Sequence, residues 1–215
     1  DEADCSVRSP AGYAFFTNPM FDDHWEINPN TDSKTQATSA VCWNAGTDCG
    51  MADGNGVYAE CVSEDTGVLH PLARYLSYLN DELVGKQKKE VIMLGILGVP
   101  EVTAHNPDPP FEPIAGGVLD LVYREWVAED ILPGDNDTPE EKEWEFGIGP
   151  GCTGDDGMDG TTGQAIPPVR VKEVCESLNR EDEVRCCIES ICDDDFSPAI
   201  DCLTGIIQNT IVPPG

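Results

Sequence analysis

The chain has 215 residues, a length typical of one domain, and its 12 Lys and Arg against 41 Asp and Glu give a formal net charge of −29. This acidity excludes binding to nucleic-acid backbones or anionic lipid surfaces, because both need clustered cations. The hydrophobic content of 40% is enough for a packed core. The longest apolar run, residues 91–99, is about half of what spans a bilayer.

Ten cysteines are present, at positions 5, 42, 49, 61, 152, 175, 186, 187, 192 and 202. An even number spread over several loops predicts disulfides in an oxidising compartment, which places the protein outside the cell, in the periplasm or on the cell surface. A thiolate metal site is the alternative, but no Cys-x-x-Cys occurs and the three histidines lack ligand spacing. We expect Cys42, Cys49 and Cys61 to cross-link the N-terminal third. Since successive side chains of a strand point to opposite faces, Cys186 and Cys187 should have different partners.

Residues 1–67 are rich in Gly, Asn, Asp, Pro and Thr and show little periodicity. We interpret them as a long ordered loop region held by disulfides rather than as a linker, because they carry many aromatic side chains. These aromatics are Phe15, Phe16, Phe21, Trp25, Trp43 and Tyr58. They are either a partner-binding surface or the means by which the loop packs onto the domain.

Regular structure is predicted from residue 68 onward. Five leucines repeat at three- and four-residue steps and predict an amphipathic helix that ends near Gly85. They are Leu69, Leu72, Leu76, Leu79 and Leu83. The run 91–99 is continuously apolar, which is typical of a parallel strand covered on both faces.

Further elements follow in the C-terminal half. We predict a helix over 118–131, a short helix after a capping box at Thr138, a helix from Pro168, a strand over 184–192 and a helix capped by Ser197. This order predicts one α/β domain over 1–215, in which 68–215 form a core with a mostly parallel sheet. Two strands are too few for such a sheet, so we expect the missing strands to precede Asp1 in the same polypeptide.

Short sequence blocks in this order resemble the C-terminal half of secreted bacterial von Willebrand factor A-like proteins. The blocks are Asp1-Glu2-Ala3-Asp4-Cys5-Ser6, Leu69-His70-Pro71 with Arg74-Tyr75, residues 95–100, Pro168-Val169-Arg170, Ser190-Ile191-Cys192, Asp195-Phe196 and Ala199. The resemblance implies a Rossmann-like A domain with helices on both faces of a parallel sheet. It also implies a divalent cation at the carboxyl ends of the strands, in a metal-ion-dependent adhesion site.

The metal site of that family uses an Asp-x-Ser-x-Ser loop, a Thr from a second loop and an Asp from a third. Asp1 matches only the third, and the chain contains no Asp-x-Ser-x-Ser. A single carboxylate cannot hold Mg²⁺, which requires near-octahedral oxygen ligation. Either an upstream segment supplies the remaining ligands, or the cation is absent and Asp1 is an ordinary solvated residue.

A second metal hypothesis concerns the acidic, glycine-rich loops near residues 53–56, 135–137 and 155–160. Their alternating carboxylates suit Ca²⁺, and Asp155, Asp156 and Asp159 are the best candidate ligands, although no loop matches the EF-hand pattern. Solvated acidic loops are the alternative.

Neither the nucleophile motif Gly-x-Ser-x-Gly nor a P-loop is present in the chain. We therefore expect a non-catalytic extracellular binding or adhesion-type module for a protein or cell-surface ligand, dependent on a divalent cation (Mg²⁺ or Ca²⁺) when the upstream loops are present. The alternatives are an acidic, Ca²⁺-stabilised structural surface module, or a hydrolase whose carboxylate pair the sequence does not locate.

Overall fold

The computed structural model describes residues 5–18, 24–155, 162–181 and 183–210. Over these residues the fold is mixed α/β, with small two-stranded sheets and five disulfides that pair all ten cysteines. The prediction of disulfides is therefore confirmed.

The N-terminal third is short helices and loops, as its composition predicts. It contains α1 (Tyr13–Thr17), α2 (Ala40–Gly46) and an antiparallel pair of β1 (Thr47–Asp48) with β2 (Val62–Ser63). The Cys5–Cys42 and Cys49–Cys61 disulfides cross-link it, which confirms the prediction for these cysteines.

Most of the described aromatic side chains in this third are packed rather than presented to a partner. Phe15 and Trp25 are buried against Val41 and Leu69, and the indole N–H of Trp25 donates to the Phe15 carbonyl at 3.0 Å. Trp43 is also buried in a second cluster. Phe21 lies outside the described residues. For Phe15, Trp25 and Trp43 the structure thus favours packing onto the domain.

The leucine repeat does form a helix, which begins as α3 (Ala73–Leu76) and continues with π-helical geometry over Ser77–Lys86. Leu69 and Leu72 precede the helix and are buried. The helix itself has no buried residue, so it lies on the surface of the fold.

Two parallel strands and two helices form the centre of the C-terminal half. β3 (Met93–Leu97) pairs in parallel with β8 (Cys186–Ser190), so both predicted strands are confirmed, each slightly shorter than predicted. α5 (Val169–Glu176) packs on one face of this pair and α6 (Ser197–Thr210) on the other. The result is a helix–sheet–helix sandwich whose described sheet has only two strands.

The expectation of a mostly parallel sheet is confirmed only for the β3–β8 pair, because the other strand pairs among the described residues are antiparallel. They are β1 with β2, β4 (Val102–His105) with β5 (Pro113–Gly116), and β6 (Cys152–Asp155) with β7 (Thr162–Ala165). Residues 106–112 connect β4 to β5 and residues 156–161 connect β6 to β7, and both connections are too short for the crossover that a parallel pair needs.

The helix predicted over 118–131 is also wrong. Only 3₁₀ turns form there, at Gly117–Leu119 and Ala128–Asp130. Between them the backbone is extended: Tyr58 N–H donates to the Tyr123 carbonyl at 2.9 Å and Glu125 N–H to the Gly56 carbonyl at 2.8 Å. These long-range hydrogen bonds replace the local ones a helix would need.

The capping box at Thr138 is confirmed and begins α4 (Pro139–Phe146). The Thr138 hydroxyl accepts from Glu141 N–H at 3.2 Å, and the Glu141 carboxylate accepts from Thr138 N–H at 2.7 Å. Gly147, with φ of 86°, ends the helix in the left-handed conformation.

Candidate functional site

Ligand sites in open α/β sheets lie outside the carboxyl ends of parallel strands, so this end of β3 and β8 was the first candidate. The β6–β7 hairpin covers part of it. Cys152 of β6 is disulfide-bonded to Cys192, just after β8. Gly98, just after β3, packs so closely on the hairpin that a Cβ there would lie 2.1 Å from the Ile166 carbonyl oxygen. The carboxyl end is thus closed by backbone packing at this point.

A histidine–glutamate pair lies beside the carboxyl end of β8. Glu189 Oε1 lies within hydrogen-bond distance of His105 Nε2, at 2.9 Å, and the Glu189 side chain is 5% exposed. Burial raises the pKa of Glu189, and the contact with His105 opposes that rise. Ser190 points to the opposite face of the strand from Glu189, so the three side chains do not form a Ser-His-Glu relay. The pair instead ties β4 to β8.

Three glutamates converge near Tyr58, a cluster that sequence reasoning missed. Burial raises the pKa of the Tyr58 hydroxyl, and the negative charges of Glu143, Glu125 and Glu26 raise it further. Burial also raises the pKa of Glu143 to about 7, against a hydrogen bond from the Trp126 backbone. Nothing in the local sequence signals this burial, because Glu143 is one of four glutamates in α4.

Within the part of the chain that the structure describes, no group of three or more His, Cys, Asp or Glu side chains could hold a metal ion. The predicted ligands Asp1, Asp156 and Asp159 lie outside the described residues. Asp155 is the last residue of β6, where its backbone pairs with Thr162, and its side chain is likewise outside the description. The geometry of these four residues as a site therefore stays a prediction.

The other acidic loops use their carboxylates within the chain. Asp53 Oδ1 accepts from the backbone N–H groups of Asn55 at 2.7 Å and Val57 at 3.0 Å, and these hydrogen bonds lower the pKa of Asp53. Asp135 and Asp137 both pair with Lys142 Nζ, at 2.7 and 2.8 Å. These contacts occupy the carboxylates of the two loops with partners from the chain itself.

The outer edge of β3 is the unpaired side of the parallel sheet. The Leu97 carbonyl accepts from Ile191 N–H at 2.8 Å, so the peptide groups of Leu97 point toward β8. Because peptide groups of alternate residues point to opposite sides of a strand, those of Leu94 and Ile96 point away from β8. Their N–H and C=O groups have no hydrogen-bond partner among the described residues.

The other edge of the sheet, along β8, is covered. All five residues of β8 are buried, the 3₁₀ turn Gly117–Leu119 packs against it, and Cys186 N–H donates to Asn179 Oδ1 at 3.0 Å. By contrast, Leu94 and Ile96 of β3 are only half-buried. Among the described residues, no strand pairs with the outer edge of β3.

The start of the described chain is hydrogen-bonded to the segment that precedes α3. His70 N–H donates to the Ser6 carbonyl at 2.8 Å, and the His70 carbonyl accepts from the Arg170 guanidinium at 2.5 Å. Arg170 is in the first turn of α5, which follows Ile166 and its close contact with Gly98. These hydrogen bonds connect the N-terminal segment to α5 through His70.

Comparisons of this chain with protein-family models, curated proteins and solved structures found no match. None of the described helices is long and apolar enough to cross a membrane.

Proposed function

We propose that this chain is the C-terminal part of an extracellular, von Willebrand factor A-like binding module for a protein or cell-surface ligand. The observation that carries the proposal is the parallel β3–β8 pair between α5 and α6, which is the smallest unit of a Rossmann-like sheet. In this proposal an upstream segment of the same polypeptide supplies the remaining strands.

The disulfides support the extracellular location in the proposal. All ten cysteines are paired, and such dense cross-linking is typical of proteins from oxidising compartments. Two disulfides join the sheet to its covering helices, Cys175–Cys186 to α5 and Cys187–Cys202 to α6. The sandwich is thus stabilised outside the cell by covalent bonds as well as by packing.

A binding role without catalysis is proposed because the polar groups near the sheet have structural partners. Glu189 pairs with His105, and the Ser190 hydroxyl accepts from Cys192 N–H at 3.1 Å. The described residues alone do not fit a divalent cation. The metal-dependent form of the proposal therefore applies only to a polypeptide that includes the upstream segment, to which this chain would contribute Asp1.

The test is a calorimetric titration of Mg²⁺, and separately Ca²⁺, into the polypeptide extended upstream of Asp1. We expect Asp1→Ala to abolish Mg²⁺ binding, while Asp81→Ala, an exposed carboxylate on the surface helix, leaves it unchanged. Ca²⁺ binding that survives Asp1→Ala but is lost in Asp156→Ala with Asp159→Ala would support the Ca²⁺-stabilised surface module instead. Absence of binding of either cation contradicts the metal-dependent form.

A further inference from the structure

A groove of about 510 Å³ lies at the amino end of β8, the opposite end of the sheet from the closed carboxyl end described above. Its walls come from three parts of the chain: the β4–β5 connection with Pro110, the segment just before β8 with Val184, and the last two turns of α6 with Ile206. A volume of this size is typical of small-molecule sites in proteins. The groove is therefore large enough for an organic ligand.

Packing and a covalent bond hold the walls of this groove in place. A Cβ on Gly205 of α6 would lie 2.8 Å from Pro110 Cα, so the helix and the β4–β5 connection are in close contact. The Cys187–Cys202 disulfide joins α6 to β8. The groove is thus formed before a ligand enters it, which lowers the free-energy cost of binding.

The described lining of the groove is acidic, with three glutamates and one arginine. The arginine is already paired, since Arg180 Nη1 lies 3.2 Å from Glu183 Oε2, and the same oxygen accepts from Arg185 Nη2 at 2.7 Å. Within the described part of the chain, the side chains of Glu112 and Glu181 have no cation and no hydrogen-bond donor as partner. Glu112 is half-buried, so its carboxylate has also lost part of its hydration. The lining favours a positively charged ligand.

The C-terminal end of α6 adds negative potential to the same groove. Asn209 and Thr210 of its last turn line the groove, and that turn contains no basic residue. The last carbonyl groups of a helix form the negative end of the helix dipole, which stabilises a cation close to them. The helix end and the two unpaired carboxylates therefore favour the same sign of charge.

The lining suits an organic cation better than a metal ion. No three His, Cys, Asp or Glu side chains of the described residues are grouped so that they could hold a metal. Pro110, Val184 and Ile206 give the lining an apolar part beside the acidic one. An ammonium or guanidinium group on an alkyl stem matches both parts, because its stem packs on apolar surface while its head meets the carboxylates.

We propose that this groove binds a primary alkylammonium or alkylguanidinium group, with its head beside Glu112, Glu181 and the end of α6 and its stem along Val184 and Pro110. A free alkylamine and the lysine or arginine side chain of a partner protein both carry this chemistry. The inference goes beyond the proposed function and does not depend on it, because the groove lies at the other end of the sheet and uses no divalent cation.

An NMR titration of this chain with pentylamine at neutral pH and physiological salt tests the proposal. We expect saturable shifts at the amides of Glu112, Glu181 and Thr210, and an affinity about tenfold weaker in Glu112→Gln with Glu181→Gln. The matched control is Glu60→Gln with Glu101→Gln, which removes the same number of charges at exposed positions outside the groove lining. It should change the affinity less than about twofold, because salt screens distant exposed charges.

The length of the alkyl stem gives a second readout that needs no variant. From pentylamine to methylamine, we expect the affinity to fall by up to about fourfold for each methylene removed. Tighter binding of Nα-acetyl-lysine N-methylamide than of pentylamine would support the proposal with a partner's lysine as the source, and the reverse order would support it with a free amine.

Three results would overturn the proposal. One is the absence of saturable binding of both pentylamine and the lysine derivative. Another is an equal loss of affinity in the two double variants, because binding would then reflect only the net charge of the chain. The third is equal affinity for pentylamine and methylamine, because the stem would then have no contact with the apolar lining.

Discussion

Cys186 and Cys187 are neighbours in β8, yet their disulfides run to helices on opposite faces of the sheet. Cys186 bonds to Cys175 of α5, and Cys187 bonds to Cys202 of α6. The alternation of side chains along a strand makes this possible, because adjacent residues point to opposite faces. One dipeptide therefore fastens all three layers of the sandwich.

Removal of the Cys187–Cys202 disulfide should be costly. The chain-entropy contribution of this disulfide, with a sequence separation of 15, is about 3 kcal/mol. Cys187→Ala with Cys202→Ala also leaves a cavity at two fully buried sites, which we expect to add about 1 kcal/mol or more. Urea unfolding at equilibrium measures the loss.

The matched control for this disulfide is Cys49→Ala with Cys61→Ala, because the separation there is 12 but Cys49 is only half-buried. Loop entropy is similar in the two cases, so the difference between them reports packing. Equal losses of unfolding free energy would contradict the interpretation of the Cys187–Cys202 site as a packed core.

Gly98 should not tolerate a side chain. In Gly98→Ala the new Cβ would lie 2.1 Å from the Ile166 carbonyl oxygen, and backbone must move to relieve the clash. We expect a loss of about 2 kcal/mol or more in the free energy of unfolding, from thermal or urea denaturation. Gly54→Ala, where a Cβ meets nothing within 4 Å, is the control and should be near neutral. A neutral Gly98→Ala would refute the close approach of the β6–β7 hairpin to β3.

Lys142 should be more important than an ordinary surface lysine. It pairs with both Asp135 and Asp137, and its hydrogen bond lowers the pKa of Asp135. In Lys142→Met the two carboxylates repel each other without compensation, so we expect a lower melting temperature, and high salt should shrink the difference. Lys86→Met removes only an exposed pair with Glu82 and should have little effect. Equal shifts for the two variants would argue against the double pairing.

Glu143 should make the protein less stable as the pH rises. Its pKa is about 7 in the folded state against 4.5 for a solvated glutamate, so the folded protein binds more protons than the unfolded chain between these pH values. Unfolding free energy should therefore be unaffected below about pH 4.5 and fall as the pH rises through 7. With allowance for solvent screening, the decrease is about 2 kcal/mol.

Glu143→Gln should remove this decrease and stabilise the protein at pH 8, as measured by urea unfolding across the pH range. Glu145→Gln, an exposed residue of the same helix, is the control and should retain the wild-type profile. An unchanged profile in Glu143→Gln would show that the Glu143 carboxyl is not the titrating group.

Elements with a local signal could be predicted from the sequence. The capping box at Thr138, the proline-led start of α5 and the apolar run at β3 each specify structure over a few neighbouring residues. The predicted helix over 118–131 was wrong, because the spacing of apolar residues cannot show that this segment forms backbone hydrogen bonds with the distant segment around Tyr58. The glutamate cluster around Glu143 was missed for the same reason, since its members come from three distant parts of the chain.

The sequence by itself determined the acidity, the oxidised cysteines, the two central strands and the helices on either side of them, because periodicity, capping and composition act locally or over the whole chain. Only the tertiary structure decided which cysteines pair, that β3 and β8 are neighbours, and that the edge of Leu94 and Ile96 is open. These depend on contacts between residues far apart in the chain, and one sequence carries no local record of such contacts.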